Sequence, residues 1–137
     1  MVEKLSMLEE QKVEKDYQYK VAIIGKIKHF SRIKNTREFN YIYNNSTKVW
    51  HTPYFVLFFK RNDDYKVGFV ASKKIGNAIK RNRAKRLLRA LFIQNCDILS
   101  SGSYIFVAKP SIIEEKFTKL HKSFTYTLKK SGTLKEI

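Results

Sequence analysis

The sequence predicts an α+β fold, a single compact α/β sandwich whose elements follow the order α-β-β-β-α-β-α. The chain has 137 residues, 43% of them hydrophobic, which suffices for one core and is too short for two ordinary domains. Short runs rich in aromatic and β-branched residues predict the strands. Longer segments whose apolar residues recur every three or four positions predict the helices.

The first predicted helix begins at Asn35, because Asn35 and Glu38 have the spacing of a capping box. It places Phe39, Ile42 and Tyr43 on one face and ends at residues 44–46. Strands are predicted at 48–51, 54–60 and 65–71. The turn-forming residues 61–64 predict that the second and third of these strands form a hairpin.

The second predicted helix opens after Gly76 and Asn77 and continues to about Asn95. A loop at 100–103 leads to a fourth strand at 104–108, and Pro110 precedes a closing helix over about 112–130. Residues 1–28 are expected to be an N-terminal extension, disordered or helical. Residues 29–137 are expected to form the folded domain.

The chain is strongly basic, with 28 Lys and Arg against 12 Asp and Glu and a formal net charge of +16. Such an excess repels itself unless a polyanion neutralises it, so nucleic acid is the expected partner. No apolar run approaches the roughly 20 residues of a membrane-spanning helix, and the acidic N-terminal stretch does not have the pattern of a secretory signal. We therefore expect a cytoplasmic protein without a membrane partner. Cys96, the only cysteine, is expected to be a buried structural thiol.

The positive charge is concentrated in one segment. Between Tyr65 and Cys96 the chain has nine basic residues and no acidic residue. Pairs of Glu and Lys within a helix cannot neutralise such a run. The alternative, a merely solvated helix face, is difficult to reconcile with nine unopposed charges, and we expect phosphate groups to neutralise them.

The second helix separates apolar from cationic residues. Its apolar residues recur at helical spacing: Ala84, Leu87, Leu88, Leu91 and Phe92. The opposite side is predicted to carry Asn82, Arg83, Lys85, Arg86 and Arg89. Guanidinium groups suit this face because their planar fork binds phosphate in a bidentate manner. The helix N-terminus, with Lys73 and Lys74 just before it, adds further anion-binding capacity.

Residues 67–89 resemble the signature of the bacterial ribonuclease P protein family. Arg81-Asn82-Arg83, followed by Lys85-Arg86 and Arg89, is similar to the RNR motif of that family. Weaker similarity, including Lys34-Asn35 and Phe39, extends over roughly residues 30–130. The resemblance implies a left-handed crossover formed by the third strand, the basic helix and the fourth strand.

The resemblance also implies a function. The chain would be the protein subunit of ribonuclease P, binding a catalytic RNA and the 5′ leader of precursor tRNA and assisting endonucleolytic removal of that leader. The implied RNA-binding residues are Lys73, Lys74, Asn77, Lys80, Arg81, Asn82, Arg83, Lys85, Arg86 and Arg89. A cleft between the first helix and the sheet would hold the leader, with Phe39, Tyr43, Lys34 and Ser72 as its residues.

The spacing of Phe39 and Tyr43 fits such a cleft, because residues four apart share one helix face. Unpaired bases stack on aromatic rings at about 1 to 3 kcal/mol per base with little sequence preference. The sequence leaves open the alternative that both rings are core residues packed on the sheet.

No catalytic or metal site is predicted in the protein itself. The acidic residues outside the N-terminal stretch lie mostly in predicted turns or at helix ends, and His29, His51 and His121 are scattered. By resemblance, the catalytic RNA is the essential cofactor, binds most of the Mg²⁺ and performs the chemistry. No small-molecule substrate is expected.

Two rival functions remain at this stage. Another RNA-binding protein, of ribosomal or assembly type and similar topology, would show the same salt-sensitive binding. A DNA-binding helix-turn-helix protein is disfavoured, because a strand and not a helix precedes Gly76.

Overall fold

A computed structural model of the protein describes residues 30–131 and residue 133. Five strands and three helices occur in the order β1 (Ser31–Arg32), α1 (Thr36–Asn44), β2 (Lys48–His51), β3 (Phe55–Lys60), β4 (Tyr65–Val70), α2 (Ala78–Ile93), β5 (Gly102–Ala108) and α3 (Phe117–Lys130). Short 3-10 turns lie at Lys73–Ile75, Cys96–Ile98 and Pro110–Ile113. The α+β class and the predicted element order are confirmed, with β1 as an additional strand. The predicted extension at 1–28 lies outside the described residues.

The strands form one mixed sheet in the order β1-β4-β5-β3-β2. The predicted hairpin between β3 and β4 is wrong, because β5 lies between them, antiparallel to β3 and parallel to β4. The antiparallel neighbour of β3 along the chain is instead β2. Turn residues at 61–64 predict only that the chain reverses. β5 lies at the centre of the sheet, where six of its seven residues are buried.

The start of β5 requires glycine. Gly102 has φ of +150°, a backbone conformation that disfavours residues with a Cβ. A Cβ at this position would lie 2.5 Å from Cε1 of Phe59 and 2.9 Å from the carbonyl oxygen of Lys60. Glycine therefore allows β5 to enter between its two neighbours. The segment β4-α2-β5 joins adjacent parallel strands, and its left-handed sense stays a prediction.

The sheet separates two apolar clusters. On one face α2 and α3 pack over residues such as Leu57, Tyr104 and Phe106. On the other face α1 covers a smaller cluster centred on Ile42 and Ile105. The predicted α/β sandwich is confirmed, with α2 and α3 in one layer and α1 in the opposite layer.

The apolar side of α2 lies in the larger cluster, as its periodicity predicts. Ala84, Leu88, Leu91 and Phe92 are fully buried. The helix begins where predicted, because the side-chain oxygen of Asn77 accepts a hydrogen bond from the backbone N–H of Lys80 at 3.0 Å. The cationic residues of α2 are consequently carried on a rigid support.

Two further expectations concern the chain as a whole. Cys96 is fully buried, as predicted. Within the part of the chain that the structure describes, no helix is both long and apolar enough to cross a membrane. The cytoplasmic location stays a prediction.

A buried polar network fixes the end of the described chain. The Tyr104 hydroxyl donates to the carbonyl of Ser100 at 2.6 Å. The Ser100 backbone N–H and hydroxyl both donate to the carbonyl of Thr133, at 2.8 and 2.9 Å. The residues after α3 are thereby joined to the loop that precedes β5. Burial raises the pKa of Tyr104 to about 12.

The raised pKa of Tyr104 predicts an alkaline loss of stability. An unfolded tyrosine releases its proton near pH 10.0 and the folded one near 12, so its stabilisation is complete below pH 10 and is lost as pH rises through 12. Tyr104→Phe should cost about 1 kcal/mol of unfolding free energy at pH 8. Urea denaturation should show a shallower decline between pH 10 and 12 for the variant than for the unsubstituted protein. Parallel declines would contradict the assignment.

Candidate nucleic-acid interface

The predicted cationic face of α2 is divided into two groups. Asn82 and Arg86, four residues apart, are exposed on the outward side of the helix. Lys85 and Arg89, also four apart, are half-buried and line a cavity. The prediction of one continuous face opposite the apolar residues is therefore only partly correct, because Lys85 and Arg89 lie on the flank of α2 that faces β1 and β4.

The remaining predicted RNA-binding residues lie around the start of α2. Lys73 and Lys74 are exposed on the 3-10 turn that joins β4 to α2, and Lys80 is exposed in the first turn of the helix. Arg81 is half-buried, and its Nη1 donates to the carbonyl of Gly76 at 2.7 Å. This bond holds the guanidinium beside the N-terminus of α2, where backbone N–H groups also favour anions.

Arg83 is held by packing. Its side chain is half-buried, and its Nε is a buried atom without a hydrogen-bond partner among the residues that the structure describes. Burial restricts the guanidinium to few orientations, which lowers the entropy lost when a ligand binds it.

The cavity beside α2 has a volume of about 580 Å³, within the range of small-ligand sites. Its apolar lining comes from β1, α1, β4 and the residues next to them: Phe30, Ile33, Phe39, Val67, Gly68 and Phe69. The charged residues that line it are all cations: Arg32, Lys34, Lys85 and Arg89. The cavity thus combines an aromatic floor with positive charge, which suits a base attached to phosphates.

The guanidinium of Arg89 lies over one of the aromatic rings that line the cavity. Its guanidinium carbon lies 5.4 Å from the centre of the Phe69 ring. Burial, and secondarily the nearby charge of Arg32, lower the pKa of Arg89. An arginine remains protonated at neutral pH even so. An anion in the cavity would relieve the repulsion between the two guanidinium groups.

Glycine in β4 gives the cavity its shape. A Cβ on Gly68 would lie 2.8 Å from both Cε1 and Cζ of Phe39 and 3.3 Å from Cδ1 of Ile33. The absence of a side chain therefore lets the Phe39 ring lie directly against the strand. The ring becomes one wall of the cavity and stays half-buried.

Only part of the predicted cleft comes together in this cavity. Phe39 and Lys34 line it, whereas Tyr43 and Ser72 are not among its lining residues. Tyr43 shares a face of α1 with Phe39, at 6.3 Å between ring centres, but packs edge-on against Phe58 at 4.8 Å. Ser72 is exposed and caps the 3-10 turn by accepting from the backbone N–H of Lys74 at 3.3 Å. Tyr43 and Phe58 thus extend an aromatic surface beyond the cavity.

The sequence did not identify Phe30 and Arg32 as cavity residues. Both lie in or beside β1, and a strand of two residues carries no alternation by which to recognise it. Its pairing with Lys66 and Val67 of β4 is what brings Arg32 to the cavity. In the sequence, the two basic residues on either side of Ile33, Arg32 and Lys34, are the feature that could have indicated a cationic site here.

An ion pair fixes α1 on the sheet. The ammonium of Lys66, in β4, donates to Oε2 of Glu38. The backbone N–H of Glu38 donates to the Asn35 side chain at 2.8 Å, so this residue belongs to the helix cap as well. The hydrogen bond from Lys66 lowers the pKa of Glu38, and the same bond raises the pKa of Lys66.

Among residues 30–131 and 133, no carboxylate forms an ion pair with a Lys or Arg of α2. The same part of the chain contains no group of three or more His, Cys, Asp or Glu side chains that could hold a metal ion. The interface offers donors and positive charge over two connected areas, the outward side of α2 and the cavity.

Comparison with known proteins agrees with this geometry. The sequence profile of the family Ribonuclease P matches residues 27–132. A ribonuclease P protein component from Nitratiruptor sp. is 46% identical over 104 residues, which cover 76% of this chain and 94% of the relative. One from Geobacillus sp. is 30% identical over 107 residues, covering 76% of this chain and 92% of the relative.

Solved structures show the same fold. The Staphylococcus aureus RNase P protein matches with a TM-score of 0.68 and 26% identity, covering 76% of this chain and 97% of that protein. The RNase P protein from Thermotoga maritima matches with a TM-score of 0.64 and 26% identity, covering 73% and 96%.

The ion pair between Glu38 and Lys66 predicts a dependence on acid pH. Because the pKa of Glu38 is lowered on folding, its stabilisation is present above the ordinary value of 4.5 and is lost as pH falls below it. Glu38→Gln should cost up to about 1 kcal/mol of unfolding free energy at pH 7. Denaturant titrations should show the two proteins converging near pH 3. A difference that persists at pH 3 would contradict a role through charge.

Proposed function

The chain belongs to the ribonuclease P protein family, and from this membership we propose a separate role for each of its two cationic areas, the outward side of α2 and the cavity. As a member, it is an RNA-binding subunit that takes part in tRNA processing, and its partner is the ribonuclease P RNA. The outward side of α2 binds this RNA, and the cavity between α1, β4 and α2 receives the 5′ leader of precursor tRNA.

The observation that carries the proposal is that the cations of α2, which stand on an apolar support, form no ion pair within residues 30–131 and 133. Exposed cations without carboxylate partners bind a polyanion by releasing its counterions, and no internal ion pair must be broken first. Arg86 and Asn82 point outward from a helix whose opposite side is fully buried. A structured RNA can therefore contact several donors in a fixed arrangement.

The cavity supports leader binding because it accepts a base and phosphates without a pattern of base-reading groups. Phe39 and Phe69 provide apolar ring surface, while Arg89 and Lys85 provide charge. Stacking and phosphate contacts tolerate any base. A protein that acts on many precursor tRNAs needs this tolerance, since their leaders differ in sequence.

We assign cleavage to the RNA and its bound Mg²⁺. The charged residues that line the cavity are cations, which attract phosphate and repel a divalent metal ion. Glu38, the carboxylate of α1, is already bound to Lys66. The protein thus contributes charge neutralisation and leader positioning, while the scissile bond is cleaved at a site formed by RNA.

The two areas predict separable effects of substitution. Arg86→Ala should weaken assembly with the catalytic RNA by about 1 to 3 kcal/mol and reduce the salt dependence of binding by about one phosphate contact. Arg89→Met retains the apolar stem over Phe69 but removes the charge from the cavity. It should leave assembly nearly unchanged and weaken the binding of precursor tRNA by about tenfold relative to leaderless tRNA.

Fluorescence titrations at several salt concentrations measure both affinities, first for the catalytic RNA and then for each tRNA in the assembled complex. If Arg89→Met weakened assembly as strongly as Arg86→Ala, or weakened both tRNAs equally, the assignment of the cavity to the leader would fail.

The division of labour predicts the behaviour of the protein without RNA. Incubated alone with precursor tRNA and Mg²⁺, the protein should leave the substrate intact, whereas addition of the catalytic RNA should release the leader. Gel electrophoresis of end-labelled precursor provides the measurement. Leader release by the RNA-free protein, at a rate that follows protein concentration through purification, would overturn the assignment of catalysis to RNA.

A further inference from the structure

Helix α3 carries a second cationic surface that the family signature does not include. Four lysines occur between Phe117 and Lys130, and this helix has no acidic residue. At 100° per residue they fall, together with Tyr126, within about one third of the helix circumference. We call these residues the α3 stripe: Lys119, Lys122, Tyr126, Lys129 and Lys130.

The stripe points away from the core. The buried residues of α3 are Leu120, Phe124, Thr127 and Leu128, and they occupy the opposite side of the helix. All five residues of the stripe are exposed. The stripe extends over about 16 Å of helix, since each residue adds about 1.5 Å.

An aromatic ring lies among these charges. Tyr126 is 56% exposed, so its ring is accessible for stacking on another molecule. The ammonium of Lys130 lies 5.6 Å from the centre of its ring. A cation beside an exposed ring is the combination that binds a phosphate and stacks on a base or ribose.

In the part of the chain that the structure describes, no lysine of the α3 stripe forms an ion pair. Glu115 precedes the helix, and its pKa is lowered by a hydrogen bond from the backbone N–H of Lys116 and, more weakly, by the charge of Lys119. Its carboxylate also accepts from the Tyr54 hydroxyl at 3.1 Å. Lys122, Lys129 and Lys130 lie further along the helix, beyond this carboxylate.

The position of α3 beside α2 indicates which RNA would contact it. Phe92 of α2 packs on Phe69 of β4, beside the cavity. Phe124 of α3 packs on Phe55 of β3 and on Phe106 of β5. The two helices are neighbours on one face of the sheet, and α3 stands on the β3 side, away from the cavity.

We propose that the α3 stripe is a second binding surface for the catalytic RNA, contacting its phosphates through Lys122, Lys129 and Lys130 and stacking through Tyr126. Because α3 lies next to α2, an RNA bound to the outward side of α2 would extend over α3, on the side away from the cavity. The proposal rests on family membership for the identity of the RNA, but not on the assignment of the cavity.

The test replaces the unopposed charges together, as Lys122→Gln/Lys129→Gln/Lys130→Gln. A matched control removes three cations elsewhere, as Lys48→Gln/Arg61→Gln/Lys109→Gln. Binding of the catalytic RNA by the full-length protein should weaken at least about tenfold for the stripe variant, and its salt dependence should fall by about two to three phosphate contacts. The control should weaken binding by less than about threefold.

The ring is tested separately with Tyr126→Leu. Loss of stacking should weaken binding of the catalytic RNA by about fivefold or more while leaving the salt dependence unchanged. In the complex assembled at saturating protein, the preference for precursor over leaderless tRNA should be unaltered by either stripe variant. Circular dichroism and urea denaturation verify that each variant folds.

Three outcomes would overturn the proposal. Equal losses for the stripe variant and its control would show a general effect of net charge. Unaltered binding of the catalytic RNA would show that the stripe is only solvated. A loss confined to tRNA binding would assign the surface to the substrate instead. Because Arg86→Ala tests α2 independently, failure of the stripe and failure of the proposed function are distinguishable.

Discussion

The structure depends on apolar packing beneath a helix whose polar side provides almost no stabilisation of its own. In an ordinary surface helix, ion pairs offset some like-charge repulsion, but α2 contains no acidic residue. Leu88, Leu91 and Phe92 must therefore fix the helix through burial, at about 1.5 to 3 kcal/mol each. Phe92 also makes edge-to-face contacts with Phe69 and Phe106, which add directional preference to that packing.

This arrangement couples stability to RNA binding. Repulsion among unneutralised cations is present in the free protein and is removed when phosphates approach, so RNA binds the folded state and stabilises it by mass action. The cavity also contains repulsion between cations, because the charge of Arg32 lies close enough to Arg89 to contribute to the lowering of its pKa. A phosphate bound in the cavity, as the proposed function requires, would remove the repulsion between these two guanidinium groups.

The sequence predicted those features that are determined locally. Asn35 and Asn77 cap the two helices as their spacing indicates, and the apolar side of α2 is buried. Features that depend on distant segments were not predictable in this way. Strand order depends on which strand is buried on both faces, so the turn at 61–64 suggested a hairpin that β5 interrupts. The cavity likewise requires β1 to pair with β4, which lies more than 30 residues further along the chain. Tyr43 packs on Phe58 of β3, and the apolar pattern of α1 does not indicate which strand the helix covers.

Residues in and beside β1 contribute to the cavity, because Phe30 and Arg32 line it. β1 is a strand of two residues at the edge of the sheet, where it pairs with β4. Short edge segments with few hydrogen bonds open locally at a lower free energy than the core of a domain. A transient separation of β1 from β4 would therefore move Phe30 and Arg32 and change the cavity while the rest of the sheet stays folded.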